Sequence, residues 1–539
     1  MAKSFEMKFY SNRSPKKGYT WETPPEPIPE NQIEETLEAD FIVVGGGISG
    51  LAAAARCSSK GLSGILIDKN RKMVALAGQI AAINTKIMAE KGVHIDPKRF
   101  AADWLKVSGS RVEEELLWIF INRSAEGFEW MMSLTEGGVD SNIFVSYKGP
   151  MFGEYLGTHH IFNKPGSKYT NFGGGMLACE ILEKEFLKNG GQLYRGTAAE
   201  QLEKDADGRV IAAIAKGADG KYRRYKGKKA VILATGDASD DREMLAAFCP
   251  IGLRPALQIP RRGNKGDGQK MAYWAGAVLD NPEWAPTLHA LGYSGHQFFF
   301  LHVNQLGNRF MNEDTWMQAK SVRCLMQPGG DFAFTVFDSK YLDEIAERWE
   351  LLGGQGMAPM SMMGDEFDRA GLEDDINRFV TGNERRYGDI EDEENTDAEK
   401  APVKEKLING FKADTIEELA QQLDVPAENL VKTVARYNEL VAAGDDTDFG
   451  KRAIMLTPLV KPPFYALRWG PALLDVFGGA LINKQLNVVG ADSHPIPGLY
   501  AVGNAAGGMY AVDYPLLLNG NSYGRALAYA MQLGDVLSD

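Results

Sequence analysis

The sequence predicts an α/β fold of Rossmann-like, nucleotide-binding type. Two stretches carry that prediction. From Asp40, DFIVVGGGISGLAAAARCSSKG runs as apolar strand, glycine-rich turn and helix, and GILIDKN follows as a second apolar strand ending in acid, which makes a βαβ start. Near the C-terminus, NGNSYGRALAYAMQLGDVL reads as another glycine-rich turn opening a helix.

Taken in order, residues 1–37 are polar and rich in Pro and Glu (WETPPEPIPENQIEE), which reads as an arm or linker rather than a packed element. The fold is expected to start near Asp40. The acidic run GDIEDEENTDAEK, Gly388 to Lys400, reads as a solvated loop. After it, DTIEELAQQLDVPAENLVKTVARYNELV reads as two helices, the first with a Thr415-x-x-Glu418 capping box and the second with Pro426 near its start.

Composition narrows the function classes. The 539 residues, 44% hydrophobic and 24% charged, suffice for two or three domains and a sizeable core. A formal charge of −13 argues against nucleic acid or an acidic membrane surface as partner. Cys57, Cys179, Cys249 and Cys324 lie far apart, so no CxxC metal or redox pair can be written. The first residues carry lysines but no apolar signal core, and no stretch approaches the ~20 apolar residues of a membrane span. No membrane insertion and a cytoplasmic location are expected.

Gly45, Gly47 and Gly50 form GxGxxG between strand and helix, and Asp68 follows 18 residues after the last of them. Such glycines let backbone approach a pyrophosphate, the helix N-terminus offers free N–H groups, and an acid at Asp68 accepts hydrogen bonds from a ribose diol. The motif alone does not separate FAD from NAD.

Further segments do. KKAVILATGDAS (Lys228 to Ser239) and PGLYAVGNAAGG (Pro497 to Gly508) resemble the second and third FAD-contacting strands of two-dinucleotide-binding flavoproteins. With GNKGDGQKMAYWAGA, GNRFMNE, the DTIEELA helix pair and DTDFGK, the chain from about residue 38 onward resembles the soluble fumarate reductase, urocanate reductase and ketosteroid dehydrogenase group. The resemblance implies an FAD-binding domain at 38–279 and 475–539, with an α+β cap inserted at 280–474. It implies FAD contacts at Asp68, Ala199, Ala234, Thr235, Gly236, Asp267, Gly503, Asn504, Ser522 and Tyr523, beside the three glycines of the motif. Asn504 stands where the family commonly has glutamate. Membrane-bound relatives attach flavin through a histidine after the second strand; His94 is the first histidine here, so the FAD is expected to be non-covalent.

Family chemistry passes hydride between flavin and one carbon while a side chain moves a proton at its neighbour. In this family the proton carrier, arginine or tyrosine, stands four residues beyond the glutamate of the RFxNE motif, which is Met317 here. Leu474, Asp475 and Leu517 stand where fumarate reductases keep two histidines and a substrate arginine. Fixed cations must face a dicarboxylate, so fumarate is not the expected substrate. Tyr514, followed by proline, resembles the tyrosine through which ketosteroid dehydrogenases polarise a ketone, and Tyr293 and His296 fall where fumarate reductases have their proton path. These three are the candidate catalytic residues, with Tyr510 nearby, while His159 and His160 read as loop residues. Leu516, Leu517 and Leu518 fit a flat aromatic or alicyclic substrate. The expectation is an FAD-dependent oxidoreductase that reduces or desaturates an activated carbon–carbon bond in a relatively apolar, carbonyl-bearing small molecule, using an electron donor or acceptor in trans. The alternative is a non-catalytic or electron-transfer flavoprotein. A disulfide or NAD(P)H oxidoreductase is disfavoured by the lack of a redox CxxxxC and of a second GxGxxG.

Overall fold

The computed structural model describes residues 18–75, 78–144, 155–255, 257–258, 263–280, 283–291, 299–330, 332–352, 367–382 and 410–539. Tyr293, His296 and the acidic run 388–400 lie outside them.

The first strand, β1 (Ile33–Val44), becomes fully buried from Phe41 onward, as a strand covered on both faces must. It leads through the glycine turn into α1 (Ile48–Ser59) and then β2 (Gly64–Asp68). These build an eight-stranded sheet in the order Asn487–Val489, Pro495–Ala501, Tyr222–Leu233, β1, β2, Gln192–Arg195, extended by the hairpin Ala198–Lys204 and Val210–Lys216. The five strands from Pro495–Ala501 to Gln192–Arg195 pair in parallel, so the turns after Val44, Asp68, Leu233 and Ala501 emerge along one edge. That edge is where open α/β sheets bind nucleotides. Helices Gly174–Lys188 and Asn521–Ser538 pack on α1, and Glu114–Ser133 packs on Asn521–Ser538.

A second, six-stranded sheet forms around one long strand, Phe464–Phe477. Its first half pairs with Ala333–Asp338 and Gly410–Ala413; its second half pairs with Ala285–Leu291 and Leu257–Gln258. The strand runs unbroken through Leu474 and Asp475, and Leu257–Gln258 joins this sheet from before residue 280. The structure thus differs from a boundary at 474/475. A long strand whose two halves have different partners shows no break in its own sequence.

The reading of residues 1–37 as an unpacked arm is also corrected, for the described part. Trp21 is buried against Phe248 and Tyr273, with ring centroids 5.7 and 5.3 Å away, and its carbonyl accepts the Trp274 indole N–H at 2.8 Å. β1 already pairs with Tyr222 at Ile33. One anchoring tryptophan outweighs the polar composition around it. His159 and His160 belong to the strand Thr158–Asn163 rather than to a loop. The helix pair agrees with its reading: Thr415 caps Ile416–Leu423 by accepting from the Glu418 N–H at 3.1 Å, and Pro426 precedes Ala427–Ala443.

The GNRFMNE segment is held by buried charge. The Arg309 guanidinium binds Glu313 at 2.8 Å and Asp446 at 2.7 Å, and lies over Tyr437 and Phe449 at 5.0 and 4.9 Å. Lys451 adds a third contact, 3.3 Å from Glu313. Burial pushes the Glu313 carboxyl up, yet Lys451 and Arg309 together hold it below the ordinary carboxylate range. Arg309→Met should therefore lower unfolding stability by about 3–5 kcal/mol, because it strands buried carboxylates. Chemical denaturation would read the loss, and a change within about 0.5 kcal/mol would refute this account of the segment.

Candidate active site

At the carboxyl edge of the large sheet, three turns meet without room for side chains. Gly45 has φ +112°, and a Cβ there would lie 2.3 Å from the Ala234 carbonyl oxygen. One on Gly50 would lie 1.9 Å from the Gly45 carbonyl oxygen. Gly503, at φ +62°, would strike Ser49 at 2.2 Å. Gly47 is different: a Cβ added there meets no protein atom within 4 Å. The first and third glycines of the motif thus serve packing, and the second borders open space at the start of α1.

That start carries no side-chain cap, so its first N–H groups are available to an anion. Beside it Asp68 is 5% exposed and accepts from the Asn70 N–H at 3.0 Å, with the Arg195 guanidinium 3.2 Å away. Burial pushes its carboxyl up, against Asn70, Arg195 and the Gly46 backbone. Gly46, not singled out in the sequence, must be glycine for this reason: its Cβ would sit 2.5 Å from Asp68 Oδ2. Ala199 lies two residues beyond Thr197, whose N–H donates to the Asp68 carbonyl at 2.7 Å.

Gln269 ties the second and third turns together. Fully buried, it donates to the carbonyls of Gly236 and Asn504, both at 3.0 Å. Thr235 accepts from the Gly268 N–H at 3.1 Å, and Asp267 pairs with Lys69 at 2.7 Å. Asn504 accepts from Arg525 at 2.8 Å; that guanidinium lies over Tyr510 at 4.5 Å. Two buried atoms of this cradle, Gln269 Oε1 and Arg525 Nε, have no partner. Open space at Gly47, uncapped helix N–H groups, a buried acid and orphaned polar atoms fit a dinucleotide such as FAD. His159 is fully buried between Thr85 at 2.8 Å and the Gly157 carbonyl at 2.9 Å, its pKa pulled down to about 4 by burial.

The candidate reaction face lies where Asn521–Ser538 begins. Tyr514 stacks on Phe477 at 4.5 Å and on Tyr510 at 5.7 Å, and its hydroxyl accepts from the Ser522 N–H at 3.4 Å. Burial, with Tyr510 beside it, raises its pKa well above the ordinary value, so the phenol stays protonated. Tyr510 is committed elsewhere, donating to Asn521 at 2.8 Å, and burial raises it to about 12. Ser522 and Tyr523 occupy the first turn of the helix, as the sequence implied. Leu517 and Leu518 are buried and Leu516 half-buried, while Met317 begins the helix Met317–Leu325.

Three groups here were not found from sequence. Asp475 hydrogen-bonds the Asp237 carboxyl, which also accepts from the Val476 N–H at 2.9 Å. Burial raises the Asp237 carboxyl, against its bonds to the Val476 and Ser239 N–H groups and to Asp475. The wall around Leu474 is therefore acidic as well as apolar. Lys320, one turn beyond Met317, is 1% exposed, and burial pulls its amine down to about 7 despite Glu313 nearby. Asp513 precedes Tyr514. No local pattern announces any of these, since each depends on which side chains the fold brings opposite.

The chain matches the family described as "FAD binding domain" over residues 40–521. It is 25% identical to a probable fumarate reductase of Shewanella frigidimarina, covering 99% of this chain and 81% of that protein. It is 22% identical to a vinyl phenol reductase of Lactiplantibacillus plantarum, covering 92% and 94%. The fold matches a 3-ketosteroid-Δ4-(5α)-dehydrogenase of Rhodococcus jostii solved with 4-androstene-3,17-dione, with a TM-score of 0.70 at 21% identity over 96% of this chain and 99% of that one. No helix among the described residues is long and apolar enough to cross a membrane.

Gly47→Ala should leave the stability of the flavin-free protein within about 1 kcal/mol, since the new methyl meets only open space at a helix N-cap. Its flavin content should nonetheless fall, because that space is where the cofactor would pass. Equal flavin content in variant and parent would contradict this placement.

Proposed function

The chain belongs to the FAD binding domain family, and from that premise we propose an FAD-dependent oxidoreductase acting on an activated carbon–carbon bond. It works as ene reductase or dehydrogenase on a relatively apolar, carbonyl-bearing substrate, with an electron donor or acceptor in trans. The observation that carries the reading is Tyr514. Its hydroxyl oxygen accepts the Ser522 N–H at the positive end of a helix, which leaves its proton to be donated outward.

The glycine turn after β1, with Gly45, Gly47 and Gly50, would hold the pyrophosphate at the N-terminus of α1, and Asp68 and Ala199 the adenosine end. Ala234, Thr235, Gly236, Asp267, Gly503 and Asn504 would line the middle of the cofactor, and Ser522 and Tyr523 the flavin end. When bound, FAD supplies or accepts the hydride. Tyr514 donates a hydrogen bond to the substrate carbonyl and so stabilises the charge that gathers there as hydride moves to or from the conjugated carbon. Phe477 and Tyr510 keep the phenol in place by stacking. Leu516, Leu517 and Leu518 supply apolar wall. Leu474, Asp475, Met317 and Leu517 offer no cation to a dicarboxylate, and an unpaired buried carboxylate costs several kcal/mol.

Purified protein should be yellow, and acid precipitation should release the flavin to the supernatant; flavin retained in the pellet would contradict non-covalent binding. Reduced anaerobically with dithionite, the holoenzyme should be reoxidised by a member of a panel of cyclic enones, cinnamates and 4-vinylphenol, with fumarate far slower. Reoxidation by none would leave the electron-transfer reading. Tyr514→Phe should keep FAD and slow the best acceptor by about 10²–10³-fold, the usual cost of one oxyanion-type donor. Unchanged turnover would remove Tyr514 from the mechanism and leave Tyr293 and His296 as the remaining candidates.

A further inference from the structure

The segment leading into Tyr514 is held in an unusual way. Val512 has φ +67°, a left-handed conformation that a β-branched side chain adopts only under constraint. The constraint is visible: the Val512 N–H donates to the Glu283 carbonyl at 3.0 Å and the Asp513 N–H to the Ala511 carbonyl at 2.7 Å. The kink fixes Asp513. One carboxylate oxygen accepts the Tyr514 N–H at 2.9 Å, and the Gln318 amide bonds the same carboxyl. Gln318 is itself immobile, accepting from the Leu288 N–H at 2.7 Å and donating to the Pro286 carbonyl at 2.9 Å. It is also the neighbour of Met317, where the sequence implied a proton carrier and none stands. A carboxyl from the segment of Tyr514 thus reaches the very helix start that lacks its acid.

We propose that Asp513 is the proton carrier of this enzyme, serving the substrate carbon next to the one that exchanges hydride. The proposal rests on the function proposed above. In the reducing direction the C=C π bond breaks, one carbon gains hydride from reduced FAD, and Asp513 gives its carboxyl proton to the other carbon. The aspartate left behind regains a proton from water. The two electrons come from the reduced flavin, and no other reductant is needed. In the desaturating direction ionised Asp513 removes the proton instead.

Its surroundings suit the task. Burial pushes the carboxyl up to about 7, with the Tyr514 N–H and Gln318 opposing, so both forms exist near neutral pH. Asp513 is half-buried, which leaves a path for exchange with water. The ionisable groups on the elements around it are Tyr514 on its own segment, the exposed Glu283 whose carbonyl holds Val512, Lys320 on the helix of Gln318, and Asp475 facing Tyr514; among the described residues no ion pair to Asp513 is seen. With no cation paired to it among the described residues, the carboxyl can release and take back a proton without breaking a salt bridge.

The test uses the holoenzyme and the best acceptor of the enone panel in single-turnover reoxidation. Wild-type rate should fall as pH rises through about 7, because proton donation needs the neutral carboxyl. Asp513→Asn should keep its FAD and lose about 10²–10⁴-fold in rate, with the fall in rate near neutrality abolished. Asp513→Glu should recover part of the rate. Infrared difference spectra between about pH 6 and about pH 8, recorded without substrate, should show a protonated-carboxyl band in wild type that Asp513→Asn lacks. Wild-type turnover with Asp513→Asn equally fast, or an unaltered carboxyl band, overturns the proposal and leaves the proposed function standing. If no panel member reoxidises the wild-type flavin, the function reading falls and this proposal falls with it.

Discussion

The close approach of three backbone turns at one edge of the parallel sheet governs the rest of the molecule. Gly45 and Gly50 must be bare for the turn after β1 to lie against Ala234 and against itself, and Gly503 must be bare to reach Ser49. Gln269 then fastens the turns at 236 and 504 to each other from the helix Asp267–Trp274. Segments more than 450 residues apart in the chain, 45–50 and 503–504, are thereby brought to one place. Everything inserted between them inherits a fixed starting and finishing point. The long strand Phe464–Phe477 exploits this, since its last residue stacks on Tyr514 and lies tilted against Tyr510.

The legible part of the fold was the part whose chemistry is local. A glycine with positive φ, a strand ending in acid and a helix opened by threonine leave marks within a few residues. Gly46 was not legible as a requirement, because the atom it avoids belongs to Asp68 on the neighbouring strand. Trp21 hid in a polar stretch for the same reason: its partners, Phe248 and Tyr273, lie more than 200 residues away. At the candidate site, the sequence supplied Tyr514 through its proline neighbour and the missing acid through Met317. It could not supply Asp513 or the Asp237–Asp475 pair, whose protonation depends on burial and on which side chain the fold sets opposite.

The GNRFMNE segment shows why a frame can outlast the residue expected within it. Arg309 and Glu313 are buried together with Asp446 and Lys451, so removal of any one charge strands the others. These residues secure the packing of their own segment through Tyr437 and Phe449, whatever stands at position 317. A methionine at 317 leaves that network intact. Structural charge and proton transfer are separable even where they lie four residues apart.

Placing the acid at Asp513 changes what the site asks of its substrate. A carrier on the helix Met317–Leu325 would belong to a different element from Tyr514, and carbonyl polarisation and proton transfer would then depend on how two elements meet. Asp513 and Tyr514 are consecutive, held by one kinked backbone and by the hydrogen bond from the Tyr514 N–H to the Asp513 carboxylate. Their backbones are joined directly, and the hydrogen bond within the pair together with the stacking of Tyr514 limits how far the two side chains can move relative to each other before any substrate binds. The helix beginning at Met317 need not supply the acid itself, and Gln318, besides bonding Leu288 and Pro286, aims the carboxyl. On this arrangement, substrate shape is selected by the leucine and methionine walls, while the pairing of activated oxygen with reacting carbon is selected by two adjacent residues.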